Sequence, residues 1–139
     1  MNLNIQNKTS IHIRRYQESD FPRIQELNQE EGWNNLVEKI EDTKEAWENS
    51  NVSFVVEVEG GEIVGYIRGL TDRHITLFIC ELLIDKKYRG LGLGKELLQH
   101  VHGLYPKTRM ELLASSTSHT FYEDQGYRPF YGFRKTFEE

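Results

Sequence analysis

Hydrophobic and polar positions change their spacing along the chain, and each change marks the start of a different element. Residues 11–15 alternate apolar and polar side chains, as a half-buried strand does. Apolar residues then recur at helical spacing from Phe21 until Gly32, and a second amphipathic stretch covers residues 35–48. The chain is therefore predicted to open with one strand and two helices. The apolar positions assigned to these helices are Phe21, Ile24, Leu27, Leu36, Val37, Ile40 and Trp47.

The middle of the chain is rich in β-branched and aromatic residues, which favour strands. Residues 52–58 and 63–67 flank residues 59–62, Glu-Gly-Gly-Glu, whose two glycines are typical of a hairpin turn. A polar turn at residues 72–73 then leads into the apolar stretch 75–84. We predict three consecutive antiparallel strands here.

Helical and extended patterns alternate again in the last third of the chain. Apolar residues share one helical face over residues 93–104, and residues 109–113 favour a strand. Residues 115–125 favour a helix that ends at Gly126, and residues 127–137 supply a terminal strand. The predicted order is β-α-α-β-β-β-α-β-α-β, which indicates an α/β (α+β) domain.

Length and composition limit the classes of protein to consider. With 139 residues, 37% hydrophobic and 28% charged, the chain can bury a core, and we expect a single domain over residues 1–139. No apolar run is long enough to cross a bilayer, and the polar start has no secretory leader. We therefore expect a cytoplasmic protein without a membrane partner. The lone Cys80 lies in an apolar stretch and is assigned a packing role.

Charge is distributed unevenly along the chain. The net charge is -5, but residues 18–62 contain thirteen acids and three bases, which leaves the rest of the chain basic. A basic remainder suits a phosphate-bearing cofactor, whereas the acidic segment repels nucleic acid and attracts a cation such as an amine. An acidic helix surface that is merely solvated gives the same totals. His100 and His102 point in different directions on a helix, and no metal-ligand spacing occurs elsewhere, so we expect no metal.

A glycine cluster lies between a predicted strand and a predicted helix: Arg89-Gly90-Leu91-Gly92-Leu93-Gly94-Lys95. Its glycines can expose backbone N–H groups at a helix N-terminus, where anions are stabilised. A nucleotide-triphosphate loop is unlike this cluster, because Arg89 stands where that loop has its first glycine and Glu96 follows the lysine. The dinucleotide fingerprint fails as well, since Leu97 replaces its third glycine. A glycine-rich turn without a ligand is the alternative.

The cluster resembles the pyrophosphate motif of the GNAT superfamily of N-acetyltransferases, (Arg/Gln)-x-x-Gly-x-(Gly/Ala). Arg89, Gly92 and Gly94 occupy the motif positions. Residues 120–127 are similar to a second signature of that family, (Leu/Phe)-Tyr-x-x-x-Gly-(Phe/Tyr), and contain the matching tyrosine. Ser115 departs from the family, because many members have a cofactor-contacting asparagine there.

The resemblance implies a fold and a cofactor. The GNAT fold has a mixed central sheet of about six to seven strands flanked by four helices, and its fourth and fifth strands splay apart to admit acetyl-CoA. Backbone N–H groups of residues 82–84 are then expected to stabilise the developing charge on the thioester oxygen. The residues expected to bind the cofactor are Leu82, Leu83, Ile84, Arg89, Gly90, Leu91, Gly92, Leu93, Gly94 and Lys95.

Four side chains are candidates for the proton transfers that acetyl transfer requires. Tyr122 is the candidate acid, because a phenol with an ordinary pKa of about 10 is protonated at neutral pH and can donate to a thiolate. Glu81 is the first candidate base and Glu111 the second, since both can face the gap between the splayed strands. His119 is a third candidate base. A packing role for the tyrosine and solvent-facing positions for the glutamates are the alternatives.

These observations predict an acetyl-CoA-dependent N-acetyltransferase that acts on a primary amine. Direct transfer in a ternary complex is expected, because no credible nucleophile lies beside the glycine cluster. The acceptor is expected to be a cationic small molecule or a peptide amine, and a homodimer is left open. A catalytically inactive acyl-CoA-binding or protein-interaction module of the same fold is the alternative.

Overall fold

The computed structural model describes residues 1–4 and 9–139 of the chain. Within these residues, six strands form one sheet in which neighbours in the chain are neighbours in space. The last two strands are parallel and all other pairs are antiparallel. A mixed sheet with helices confirms the predicted α/β fold class. The elements are β1 (Asn2–Asn4), β2 (Ser10–Arg15), α1 (Phe21–Glu31), α2 (Asn34–Glu38), α3 (Ile40–Glu48), β3 (Val52–Val58), β4 (Ile63–Thr71), β5 (Thr76–Ile84), α4 (Leu93–Leu104), β6 (Arg109–Leu112) and α5 (His119–Asp124).

Helices cover both faces of the sheet, so the core has two parts. On one face, α4 buries four side chains against the strands, and on the other face α1 and α3 bury Phe21, Ile24, Leu27 and Trp47. Each fully buried leucine contributes about 1.5–3 kcal/mol relative to an exposed one. The α4 helix is therefore held to the sheet mainly by its apolar face. Its buried residues are Leu93, Leu97, Leu98 and Val101.

The strand predictions are confirmed for the middle of the chain. β3 and β4 form a hairpin, and Gly60 and Gly61 at its turn have φ angles of 98° and 89°. Such left-handed backbone favours glycine, which explains the two glycines at this turn. The short β1 was not predicted, because three residues are too few to give a periodic pattern. Residues 5–8 of the polar start lie outside the described residues.

The predicted helix over residues 35–48 is wrong in its continuity, because the backbone breaks at Lys39, where φ is -87° and ψ is 63°. The break rotates α3 relative to α2, so Ile40 is 56% exposed although its spacing predicted a buried position. The carbonyl oxygen of Leu36 compensates for the interrupted helix by accepting from Gln25 Nε2 at 2.9 Å and from Thr43 Oγ1 at 2.7 Å. The side chains thus replace helical hydrogen bonds at the break. The chain therefore has five α-helices in its described part, against four expected.

We expect Thr43→Val to lower the free energy of unfolding by about 1 kcal/mol, because the isosteric valine cannot donate to Leu36. Thr43 is buried, so water does not readily replace the lost hydrogen bond. Urea unfolding followed by circular dichroism measures the change. Thr117→Val is the matched control, since Thr117 lies in an exposed loop. Equal stability of the two variants contradicts this account of the helix break.

The end of the chain differs from its prediction at two places. The predicted helix over residues 115–125 begins only at His119, because Ser115 and Ser118 form a side-chain-stabilised turn in which Ser115 N donates to Ser118 Oγ at 2.9 Å. The predicted terminal strand over residues 127–137 is wrong, since no strand forms there. Pro129 cannot donate a ladder hydrogen bond there, and β6 offers an edge of only four residues. Tyr127 is half-buried, and the later aromatic side chains of this segment are exposed: Phe130, Tyr131, Phe133 and Phe137.

Buried tyrosines make the fold sensitive to alkaline pH. Burial, followed by the charges of three nearby carboxylates, raises the pKa of Tyr16 to about 12, and burial raises that of Tyr66 well above its ordinary value. In the folded protein both phenols keep their protons longer than in the unfolded chain. Their contribution to the free energy of unfolding is therefore fully present below about pH 10, and it is lost as the pH rises through 10 toward 12.

The expected result of urea unfolding at pH 8, 10 and 11 is a stability that declines only above pH 10. Tyr16→Phe is a sharp control, because the Tyr16 hydroxyl is buried and has no hydrogen-bond partner among the described residues. This variant should equal or exceed the parent in stability at pH 8, and it should lose less stability at pH 11. A pH dependence identical to that of the parent contradicts the proposed origin.

Candidate active site

The glycine turn, defined here as residues 89–92, follows a 3₁₀ turn (Lys86–Tyr88) after β5 and leads into α4. Gly90 and Gly92 have φ angles of 78° and 91°, a left-handed conformation that favours glycine. Gly92 is the N-cap of α4 and has no side chain to satisfy the first amides of that twelve-residue helix. The turn therefore exposes backbone N–H groups at the positive end of a helix dipole, which is an arrangement that stabilises a phosphate.

The sheet opens toward the end of β5 from which the chain leads to this turn. β5 pairs with β6 from Thr76 opposite Arg109 to Ile79 opposite Leu112, and the pairing stops there. A bulge in the β4–β5 ladder places Cys80 as the extra residue between two registers. The five remaining residues of β5 have β4 on one side and an open gap on the other. β5 and β6 correspond to the fourth and fifth strands that the GNAT resemblance expects to splay apart. The numbers differ by one because the unpredicted β1 precedes the predicted strands.

Backbone amides of β5 point into this gap. Asp85 N donates to Val64 O at 2.8 Å, so the alternation of the antiparallel ladder turns the Leu83 amide toward β4 as well. The amides of Leu82 and Ile84 must then point away from β4. The Ile84 carbonyl also points away from β4, since its oxygen accepts a hydrogen bond from Arg89 Nε at 2.9 Å. Of the three predicted oxyanion donors, two therefore face the gap and Leu83 belongs to the sheet.

Helix α5 lies over the same gap. A Cβ atom built on Gly94 would lie 3.3 Å from the Phe121 ring and 3.8 Å from the Leu82 side chain. Gly94 thus allows α4, β5 and α5 to approach one another closely. The remaining predicted cofactor residues differ in exposure: Leu93 is buried in the core, Leu91 is half-buried and Lys95 is exposed.

Tyr122 follows Phe121 on α5 and is half-buried. Its ring makes edge contacts with Phe121 and Tyr127, with ring centroids 5.0 and 5.6 Å away. Burial raises the pKa of Tyr122 above its ordinary value. The phenol is therefore protonated throughout the neutral range, as a proton donor must be.

Glu81 lies at the bulge and is held by Arg68 of β4. Arg68 Nε donates to Oε1 at 2.7 Å and Nη2 to Oε2 at 2.6 Å, while Nη1 donates to Ser50 at 3.0 Å. Burial disfavours the charge on Arg68, but its hydrogen bonds and attraction to Glu81 outweigh burial and raise the arginine pKa. Each carboxylate oxygen keeps a further lone pair. Glu81 is thus fixed in place, and each of its two oxygens can still accept one more hydrogen bond.

The other two candidate bases lie outside the unpaired part of β5. Glu111 is opposite Phe78, within the paired part of β5 and β6, and its carboxylate has no hydrogen bond or ion pair within the described part of the chain. His119 is exposed, and its Nδ1 lies 3.0 Å from Glu123 Oε1. An open cavity of about 1320 Å³ between α4, β6, α5 and the terminal segment is lined by Glu111, His119 and Tyr122. The glycine turn does not line this cavity.

Sequence reasoning missed two residues of this site. Arg68 was not identified, because its pairing with Glu81 depends on the register of β4 against β5. Phe121 was treated only as part of a motif, although its position just before Tyr122 was a usable signal.

Across residues 1–4 and 9–139, no three His, Cys, Asp or Glu side chains are grouped as a metal site requires. No helix in these residues is long and apolar enough to cross a membrane.

Comparison with known proteins matches the sequence and the fold of this chain to acetyltransferases. Residues 15–138 match the family model described as acetyltransferase (GNAT) domain. A curated relative, an uncharacterized ycf52-like N-acetyltransferase of Prochlorococcus marinus, is 31% identical over 114 residues, which cover 78% of this chain and 62% of the relative. The chain thus spans less than two thirds of that relative's length.

Two solved structures share the fold. A GNAT family acetyltransferase from Streptococcus pneumoniae superposes with a TM-score of 0.74 at 20% identity, covering 93% of this chain and 98% of that one. An aminoglycoside acetyltransferase from an uncultured soil sample, solved in complex with sisomicin, gives a TM-score of 0.63 at 18% identity, covering 91% and 95%. At such identities the likeness concerns the fold alone.

Proposed function

Because the chain belongs to the GNAT acetyltransferase family, we propose that it transfers an acetyl group from acetyl-CoA to a primary amine. Acetyl transfer is the general reaction of this family. The observation that carries the proposal is the glycine turn, whose free amides at the start of α4 lie beside the open gap between β5 and β6. A diphosphate at the turn and an acyl arm in the gap fit this arrangement.

The residues of the gap divide the remaining tasks. When bound, acetyl-CoA supplies the activated acetyl group as a thioester. The amides of Leu82 and Ile84 are proposed to donate to the carbonyl oxygen as it becomes negative, and Tyr122 to donate its proton to the departing thiolate. Glu81, directly or through a water molecule, is proposed to accept the proton of the amine.

Direct transfer to the amine, without a covalent enzyme intermediate, is favoured by the state of Cys80. This residue is the one cysteine of the sequence, but burial raises its pKa, so that the reactive thiolate is disfavoured. A cationic acceptor is supported by the surplus of acids in residues 18–62, which include α1, α2 and α3. One solved structure of the same fold is an aminoglycoside acetyltransferase in complex with sisomicin, and its fold likeness is consistent with a cationic acceptor for this chain.

The choice of base can be tested with two isosteric variants. Glu81→Gln is expected to lower kcat more than Glu111→Gln at saturating acetyl-CoA, because Glu81 lies at the bulge beside the gap and Glu111 in the paired part of the strands. Initial rates of CoA release measure both. A larger loss for Glu111→Gln exchanges the two roles, and equal small losses favour water or His119 as the acceptor of the proton.

A non-catalytic acyl-CoA-binding module is the second candidate function. The observation that favours it is the bidentate ion pair between Glu81 and Arg68, which already uses both carboxylate oxygens. Calorimetry with acetyl-CoA and with CoA, followed by a thiol-release screen over a broad amine panel, separates the two candidates. Binding with release supports the transferase, and binding without release on any amine supports the module. Absence of binding overturns both.

A further inference from the structure

Helix α1 contacts both ends of the segment that leads into the glycine turn. In its first turn, Arg23 donates from Nη2 to Asp85 Oδ2 at 3.1 Å and from Nε to the carbonyl oxygen of Ile63 at 3.0 Å. Glu31, the last residue of α1, accepts from the guanidinium of Arg89. Residues 23 and 31 are eight apart and so lie on the same side of the helix. One helix face therefore contacts both Asp85 and Arg89.

The first of these contacts fixes the start of the segment. Asp85 is buried and also accepts from Lys87 N through Oδ1 at 3.0 Å, which caps the 3₁₀ turn over Lys86–Tyr88. Its two carboxylate oxygens thus have different tasks, one within the segment and one toward Arg23. Because a buried carboxylate without a partner is costly, the Asp85 position depends on α1.

The second contact fixes the end of the segment. Arg89 immediately precedes the two left-handed glycines, and its Nε donates to Ile84 O while Nη2 pairs with Glu31. The guanidinium therefore connects the glycine turn to the end of β5 and to the last turn of α1. Two glycines with positive φ have more backbone freedom than other residues, so such a turn needs external contacts to keep one conformation.

We propose that Arg23 and Glu31 are positioning residues for the glycine turn. Their contacts hold the segment 85–89 at both ends, so that the amides of residues 90–92 are ordered before a diphosphate group arrives. Ordering in advance reduces the entropy lost on binding and so strengthens affinity. The inference rests on the proposed function, because it takes acetyl-CoA as the ligand of this turn.

The test compares Glu31→Gln with Glu30→Gln in the intact protein. Both substitutions remove one negative charge from the end of α1. Glu30→Gln removes only a long ion pair of 3.8 Å between an exposed carboxylate and Arg23 Nη1, and the contacts of Arg23 with Asp85 and Ile63 remain. The two substitutions therefore change the long-range electrostatic interaction with the polyanionic ligand equally. The difference between the two variants reports the contact between Glu31 and Arg89. In the ligand-free protein, amide hydrogen exchange of residues 90–93 should be roughly fivefold faster in Glu31→Gln than in Glu30→Gln.

Acetyl-CoA affinity and kinetics supply the second readout. Glu31→Gln should bind acetyl-CoA roughly two- to fivefold more weakly than Glu30→Gln, the size expected for loss of a partly exposed ion pair. The KM for acetyl-CoA should rise by a similar factor while kcat at saturation is unchanged, a split that general destabilisation does not produce. Asp85→Asn, which keeps the cap on Lys87, should show the same split.

The outcomes are distinct. Faster exchange together with weaker binding supports the positioning role. Equal exchange and equal affinity of the two glutamate variants overturn it, and tighter binding by Glu31→Gln overturns it in favour of competition between Glu31 and the phosphate for Arg89. If the parent protein does not bind acetyl-CoA at all, the proposed function fails and the inference fails with it.

Discussion

Replacing Tyr122 by phenylalanine is expected to lower kcat by roughly 10²-fold, with little change in acetyl-CoA affinity. The variant keeps the ring that packs against Phe121 and Tyr127 but removes the only proton that this side chain can donate. General acid catalysis commonly contributes a factor of this order, and the contribution is made in the transition state and not in the ground state. Steady-state rates with an acceptor found in the amine screen, together with calorimetry, measure the two quantities.

Tyr127→Phe is the matched control for this prediction. Tyr127 is half-buried, contacts the Tyr122 ring, and has a pKa that burial raises to about 12, so both variants lose a similar hydroxyl from the same cluster. We expect kcat of the control to stay within about threefold of the parent value. A Tyr122→Phe variant that is equally active identifies Tyr122 as a packing residue. Weaker acetyl-CoA binding with unchanged kcat indicates a cofactor contact instead.

Gly92→Asp is expected to weaken acetyl-CoA binding by at least about tenfold. The side chain would stand at the N-cap of α4, where the free amides are proposed to meet a diphosphate, and its charge would repel that group. The φ angle of 91° adds strain for any residue with a Cβ atom, at a cost of about 1–3 kcal/mol in stability. Calorimetry at a temperature well below the unfolding midpoint separates affinity from stability.

Two further variants distinguish the causes. Gly92→Ala introduces the Cβ atom without the charge. Its affinity for acetyl-CoA should therefore lie between that of the parent protein and that of Gly92→Asp. Gly103→Asp places the same charge near the other end of α4, where an added Cβ atom meets no neighbour within 4 Å. We expect this control to bind acetyl-CoA normally. Unchanged affinity in a folded Gly92→Asp variant would place the cofactor elsewhere on the protein.

Local patterns predicted the elements whose formation depends on near neighbours in the chain. The helical spacing of Leu93, Leu97 and Val101 predicted α4 and its buried face, and the residue pair Gly60-Gly61 predicted the β3–β4 hairpin. Both signals are physically local, because side-chain periodicity and left-handed backbone are properties of a few consecutive residues. The break at Lys39 is not local, since it depends on Gln25 and other side chains that satisfy the interrupted backbone.

The candidate site divides in the same way. The glycine turn and the tyrosine of α5 were identified from the sequence, because each motif lies within a short continuous segment. By itself, the sequence determined the family, the fold class and these two segments. Only the tertiary structure decided that Arg68 pairs with Glu81, that Leu82 and Ile84 turn their amides into the gap, and that α1 contacts the segment before the glycine turn. The reason is that strand register and helix docking join residues 13 to 62 positions apart, and no periodicity in one segment encodes the position of the other.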